Sequence, residues 1–201
     1  MRLLFAIVHY YKSGDGRHGS LAADPKPRID ALRRLILQLH RLYGQPAGLL
    51  NHLQPRVDGV EDGGGPVSLR ICVSDEYHVL DMLSDCESLY RKETCNPQDP
   101  RLLGFETQRV LLEAFTAAEA DGEPFDYIAF LEDDILLTDP DFFLKLRCFN
   151  QAFGNHYLLM PNRIETMEHQ GQLRRFYIDG DYNPAASASY RQSTGQQLCF
   201  P

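Results

Sequence analysis

The sequence has no apolar run approaching the roughly 20 residues that a membrane-spanning helix needs, so no transmembrane segment is expected. None of its five cysteines pairs as Cys-x-x-Cys, and its histidines fall at no zinc-binding spacing. The odd cysteine count, with Cys72 in a strand-like run and Cys148 in a helix-like one, reads as a reduced, intracellular protein. Basic residues are also short: 20 Lys and Arg stand against 28 Asp and Glu, a formal charge of -8. A nucleic-acid partner needs a basic face, so none is expected despite the local patch of Arg28, Arg33, Arg34 and Arg41. The opening apolar stretch, Leu3 to Val8, is too short for a secretory signal. His9-Tyr10-Tyr11-Lys12 follows it instead of a small-residue cleavage site, which points to the cytoplasm. No internal repeat is visible.

What is present is ordinary for a globular chain. Its 201 residues are 43% hydrophobic and 24% charged, enough to bury a substantial core in one large or two small domains. Leu3 to His9 is a continuous apolar run, as in a buried parallel strand. After the Gly-rich loop Ser13 to Ser20, a helix is expected from about Arg28 to Tyr43, with Ile29, Leu32, Leu35, Ile36, Leu39 and Leu42 on one face. Gln45 to Pro66 reads as a long loop. Val67 to Ser74 is a second strand, Tyr77 to Tyr90 a short helix, and Glu93 to Pro100 a polar break. Arg101 to Ala120 is a long helix ended by Asp121-Gly122. A strand Tyr127 to Leu131 follows, then a helix Asp141 to Phe153 started by Thr138-Asp139-Pro140-Asp141. Tyr157 to Met160 and Arg174 to Ile178 read as further strands. The alternation predicts α/β architecture, with a mostly parallel central sheet flanked by helices.

The strand from Tyr127 delivers three consecutive acids, Glu132-Asp133-Asp134, and Ile135-Leu136-Leu137 follows at once. Adjacent carboxylates repel one another, and a core does not tolerate them unpaired. At the carboxyl end of a parallel strand they stand where open α/β sheets bind ligands. A divalent cation relieves the repulsion most simply, since hard cations take oxygen ligands. The other reading is a solvated turn.

Leu131-Glu132-Asp133-Asp134-Ile135, with Asp139-Pro140-Asp141-Phe142-Phe143 behind it, resembles the Glu-Asp-Asp segment of N-acetylglucosaminyltransferases of the medial Golgi type. More broadly, the chain resembles nucleotide-sugar-dependent glycosyltransferases of the GT-A fold. The close match covers about Asp126 to Leu146. The resemblance implies that Asp134 ligates Mn²⁺ or Mg²⁺, that Asp133 approaches the ribose hydroxyls, and that Glu132 holds the motif or contacts the sugar side. It also implies a nucleotide-diphospho-sugar donor, a UDP-sugar first among them. In such enzymes an acid near Asp75 hydrogen-bonds the base; the alternative for Asp75 is a helix N-cap before Tyr77. His9, Tyr10 and Tyr11 follow the first strand beside the expected nucleotide cleft. Tyr10 or Tyr11 would stack on a base, or else fill the core.

Other motifs carry less. Gly14-Asp15-Gly16-Arg17-His18-Gly19 fits Gly-x-Gly-x-x-Gly, but Pro25 and Pro27 separate it from the helix it should open, and the acid expected after a second strand is missing. A substrate loop contacting phosphate through Lys12, Arg17 or His18 is the better reading. Asp179-Gly180-Asp181 begins like a calcium loop but lacks its glycine and bidentate glutamate. An inverting transferase needs a carboxylate base for the acceptor hydroxyl; Asp179, Asp181 and Glu165 are the candidates, against an Asp-Gly turn for the first two. Arg163 suits a diphosphate, or is a surface arginine. His169 is the one late histidine able to join a metal shell.

The expectation is therefore a metal-dependent glycosyltransferase acting on a hydroxyl acceptor (glycan, lipid or small molecule). A GT-A-like nucleotide-sugar-binding domain would span 1–180, with an irregular tail over 181–201. The chain is short for the family, which leaves open a minimal enzyme, a fragment or a pseudoenzyme. The alternatives are a metal-dependent nucleotidyltransferase and a non-catalytic cation-binding or ligand-binding α/β module.

Overall fold

Leu3–His9 forms strand β1, and the residues Leu3 through Ile7 are almost wholly excluded from solvent. A strand apolar on both faces needs cover on both, and the chain supplies it. In the computed structural model, which describes residues 1–16, 19–44, 48–59 and 67–177, β1 is one of the two inner strands of a four-stranded, all-parallel sheet. The other strands are β4 (Val67–Val73), β5 (Arg91–Thr94) and β6 (Tyr127–Glu132), in the order β5-β4-β1-β6.

Alternation along β1 sorts its two faces. Leu4 and Ala6 pack with Leu111 and Ala114 of helix α2 (Leu103–Ala120), and Phe115, Phe125 and Phe130 extend that cluster. On the other face, the Phe5 ring stacks 6.3 Å from Tyr43 of helix α1 (Lys26–Tyr43). Helices therefore cover both faces, the arrangement that parallel sheets require. The result is compatible with a doubly wound, Rossmann-like fold. The apolar stripe of α1 is read correctly from sequence: Leu32, Leu35, Ile36 and Leu39 are all fully buried.

The structure departs from the sequence reading at several elements. Within Gln45 to Pro66, expected as loop, Gly48–Asn51 (β2) and Arg56–Gly59 (β3) pair as an antiparallel hairpin. Tyr77 to Tyr90 is not a helix; it holds two short 3₁₀ turns, Leu80–Met82 and Ser84–Leu89, with Cys86 off helical geometry. The polar Arg91-Lys92-Glu93-Thr94 is strand β5, pairing with β4 from Arg70↔Arg91 to Val73↔Thr94. Charged residues suit a strand at a sheet edge, where they discourage pairing with another chain. Glu93 accepts from Arg70 and lies 2.9 Å from Arg91.

By contact density the chain divides into Met1–Lys145 and Leu146–Pro201, and helix α3 (Phe142–Phe153) runs across the division. In the second unit, Tyr157 to Met160 forms no strand, and Leu158 and Met160 are 89% and 78% exposed. Ile164–His169 (β7) and Gln172–Tyr177 (β8) instead form an antiparallel hairpin. Its two-residue loop, Gln170-Gly171, has φ of 54° and 73°, the doubly left-handed geometry of a type I′ turn. No helix among the described residues is long and apolar enough to cross a membrane.

Candidate functional site

In the sheet order, the chain passes from β1 outward through β4 to β5, then returns to the other side of β1 as β6. This reversal makes a topological switch point at the carboxyl ends of β1 and β6, where open α/β sheets leave a crevice. The register brings Val8 opposite Glu132, so the next residues along, His9 and Asp133, fall side by side.

Alternation continues through the acidic triplet. Leu131 and Asp133 are buried, whereas Glu132 and Asp134 are exposed. The three carboxylates thus do not share one direction. Asp133 turns to the face covered by α1, and both its oxygens are taken. His9 Nδ1 lies 2.5 Å from Oδ2, and Arg28 Nη1, from the first turn of α1, donates to Oδ1. The Val79 main-chain N–H donates to His9 Nε2 at 3.1 Å. A ring nitrogen that accepts carries no proton, so His9 is the neutral tautomer with its proton on Nδ1, donated to Asp133. Burying a carboxylate is costly unless charge-assisted bonds satisfy it, and these two do so.

Asp134 is arranged otherwise. Its side chain is 56% exposed, and Arg28 Nη1 reaches its Oδ2 only at 3.4 Å. The side chain of Arg28 is itself 12% exposed, and its Nη1 reaches both acids. The cation the sequence reading sought for the triplet is therefore supplied in part by the chain. The sequence alone does not disclose this, because Arg28 lies 105 positions from Asp133.

The Gly-rich loop closes on itself beside Arg28. Lys12 N–H donates to Ser20 O at 2.9 Å, and Gly16 N–H to Leu21 O at 3.0 Å. A Cβ at Gly16 would lie 2.4 Å from Leu21 Cβ, and one at Gly19 would lie 3.1 Å from Arg28 Nη2. Glycine at 16 is thus a packing requirement. Gly16→Ala is expected to cost about 1–3 kcal/mol by overpacking. Gly14→Ala, whose Cβ would meet Leu21 O at 3.4 Å, should stay within about 0.5 kcal/mol. Urea midpoints of the two variants check this, and equal losses would refute it. Arg17 and His18 lie outside the described residues.

The parallel sheet brings His9, Tyr10, Asp75, Glu132, Asp133 and Asp134 to one end, since all follow or close strands running the same way. Tyr10 packs against the cluster of Cys72, Cys95, Leu103 and Val110, and its ring is 5.6 Å from Tyr77. The ammonium of Lys12 stands 4.9 Å over the Tyr77 ring. Tyr11 is a core residue, 7% exposed, and its hydroxyl donates to Ala22 O at 2.7 Å. Asp75 is exposed; its main-chain N–H donates to Asn96 Oδ1 at 3.1 Å. No helix starts at Tyr77, so Asp75 is not its cap. Burial pushes the Cys72 thiol up to about 12, which makes it a poor nucleophile.

Arg163 and Glu165 belong to the second unit, Arg163 just before β7 and Glu165 within it opposite Phe176. His169 ends β7, its ring 6.3 Å from that of Phe176. Asp179, Asp181 and the tail 181–201 lie outside the described residues. Among the described residues no three or more His, Cys, Asp or Glu converge as a metal cage. A cavity of about 430 Å³ is lined by Leu80, Asp81, Ser84, Glu87, Tyr90 and Lys92, none of which the sequence reading offers as a site residue. Comparison of the chain with protein-family models, with curated proteins and with solved structures gave no match.

Proposed function

We propose that this chain is a GT-A-like glycosyltransferase that binds a nucleotide-diphospho-sugar at the crevice between β1 and β6 and transfers the sugar to a hydroxyl acceptor. One observation carries the reading. An exposed carboxylate, Asp134, follows directly on a buried and fully bonded one, Asp133, at the switch point of a parallel sheet. The buried neighbour fixes the turn, so the exposed one is presented on a rigid base.

Mn²⁺ or Mg²⁺ fits this arrangement. Asp133 has no oxygen to spare, but Asp134 does, and Mg²⁺ characteristically takes only one or two carboxylates together with substrate phosphates and water. A shell completed by the donor requires no cage of three protein ligands. When bound, the cation would offset the charge of the diphosphate leaving group. The chain's own residues do the rest. Asp134 holds the cation, His9 and Asp133 keep the turn in place, and Glu132 lies beside it for the sugar side. Tyr10 and Tyr77 offer aromatic faces to the base, and Asp75 an acceptor. The acidic charge of -8 supports a small-molecule donor over nucleic acid, and the reading includes a cytoplasmic site of action.

A second reading rests on Arg28. If its guanidinium is all the cation the acids require, the chain is a non-catalytic α/β module. Thermal unfolding with Mn²⁺ alone, UDP alone and both separates the two. The transferase reading expects stabilisation only by both together, about 2.7 kcal/mol at a hundredfold excess over Kd, and its loss in Asp134→Asn. Stabilisation by Mn²⁺ alone favours the module. No effect of any addition overturns the transferase.

A further inference from the structure

We infer that the cavity lined by the 3₁₀ turns Leu80–Met82 and Ser84–Leu89 and by the edge strand β5 is a binding site for a basic amino acid, a small molecule with two amines and one carboxylate. None of its lining residues takes part in the transferase reading.

A period of three builds one wall. In a 3₁₀ helix residues i and i+3 eclipse, so this stretch sorts into rows. Leu80, Leu83 and Cys86 are buried, at 4%, 0% and 1% exposure. Asp81, Ser84 and Glu87, each one position on, form a second row, and all three line the cavity. Asp85, in the third row, lies 3.0 Å from Arg33 of α1, and His40 Nε2 of α1 lies 2.6 Å from Leu89 O. These contacts fasten the turns to α1, so the two acids are presented on a supported wall. Strand β5 gives the other wall. Tyr90 is already extended, with φ of -145° and ψ of 163°. Tyr90 and Lys92 therefore project to the same side of the strand, and both line the cavity.

The polar groups of the lining are not used up by one another. The side chains of Asp81, Ser84, Glu87 and Tyr90 make no hydrogen bond or ion pair with other described residues. Lys92 pairs with neither acid; its Nζ lies 2.8 Å from His78 Nε2. Burial first, then Lys92, lowers the His78 pKa, so that neighbour is a neutral ring. Burial raises the Tyr90 pKa to about 12, so its hydroxyl keeps its proton. With Lys92 it offers donors to a carboxylate. Asp81 and Glu87 stand two 3₁₀ turns apart, two places for ammonium groups and not one cage. Two carboxylates against one ammonium leave one negative charge in excess. A basic amino acid, with two ammonium groups and one carboxylate, supplies the missing positive charge and matches each group in kind. Leu80 gives its methylenes an apolar patch. The volume, about 430 Å³, falls within the roughly 300–1,000 Å³ of small-molecule sites.

Calorimetric titration with L-lysine tests this, and without UDP or Mn²⁺ the outcome does not depend on the transferase reading. Wild-type protein should bind L-lysine saturably. Cadaverine, which lacks the carboxylate, and norleucine, which lacks the side-chain amine, should each bind about tenfold more weakly, the scale of one charge-assisted bond. Lys92→Met should weaken L-lysine binding about tenfold without weakening cadaverine. Asp81→Asn and Glu87→Gln should weaken both ligands by a similar factor. All three side chains are exposed, so the substitutions leave the fold intact. Absence of saturable L-lysine binding overturns the inference. So does cadaverine or norleucine binding as tightly as L-lysine, or undiminished L-lysine binding in any of the three variants.

Discussion

Asp133→Ala is expected to lower stability by about 3 kcal/mol or more, whereas Asp134→Ala, one residue on, should change it by no more than about 0.5 kcal/mol. The contrast follows from burial and partners. The Asp133 side chain is 9% exposed and bonds His9 and Arg28. Its removal leaves the Arg28 guanidinium facing an empty space and strands the His9 Nδ1–H in a fully buried ring. His9 then loses its acceptor away from water and Arg28 keeps only its long contact to Asp134, which costs more than the bonds themselves contribute. Asp134 is more than half exposed, and water replaces its one long contact. Asp133→Asn should fall between the two, because the amide oxygen satisfies one donor while its NH₂ opposes the other. Urea unfolding measures all three. Similar losses at 133 and 134 would show that the triplet acts as a unit and not as one anchor flanked by two exposed acids.

The second large effect is expected at Phe143. This residue is 3% exposed and stands among four rings: Tyr43 at 5.1 Å, Phe142 at 5.1 Å, Tyr127 at 5.5 Å and Phe5 at 5.7 Å. Phe143→Ala should cost about 3–5 kcal/mol, the range for emptying a buried aromatic site. Leu144→Ala, 51% exposed on the next position, should cost well under 1 kcal/mol. Around the same site, Tyr43 donates its hydroxyl to Asp139 O at 2.6 Å, and burial raises its pKa, keeping that proton in place. Asp139 Oδ1 accepts from Asp141 N–H at 3.0 Å, and Lys145 lies 2.7 Å from its Oδ2; the Lys145 bond holds the Asp139 carboxyl below the usual range. The Asp-Pro-Asp-Phe-Phe stretch therefore has a structural office of its own: it opens α3 and seats the Phe143 ring among Phe5, Tyr43 and Tyr127.

The sequence is most informative where hydrophobicity decides. β1 is found with its boundaries, α1 and α2 to within two residues, and β4 and β6 to within one at their ends. It is least informative where partners decide. Arg91 to Thr94 looks like a break because an edge strand needs no apolar face. Ile164 to His169 escapes because its hairpin turns on Gln-Gly, a weaker signal than Asn-Gly. Tyr157 to Met160 is apolar but pairs with no strand among the described residues. At the site, the acids and His9 are visible as residues of interest. Their division into one inward and two outward carboxylates was available from period-two alternation carried past Leu131. The arrival of Arg28 was not, since only the packing of α1 on the sheet delivers it.

The position of β1 also bears on how the chain is made. His9 and Asp133 are 124 positions apart, and ribosomes add about 5–20 residues per second. A strand that is greasy on both sides thus waits roughly 6–25 s between its own synthesis and that of its neighbour on the β6 side. During that interval it is a sticky nascent segment, and a chaperone that shields it until residue 132 has emerged would be expected to raise the yield of native protein.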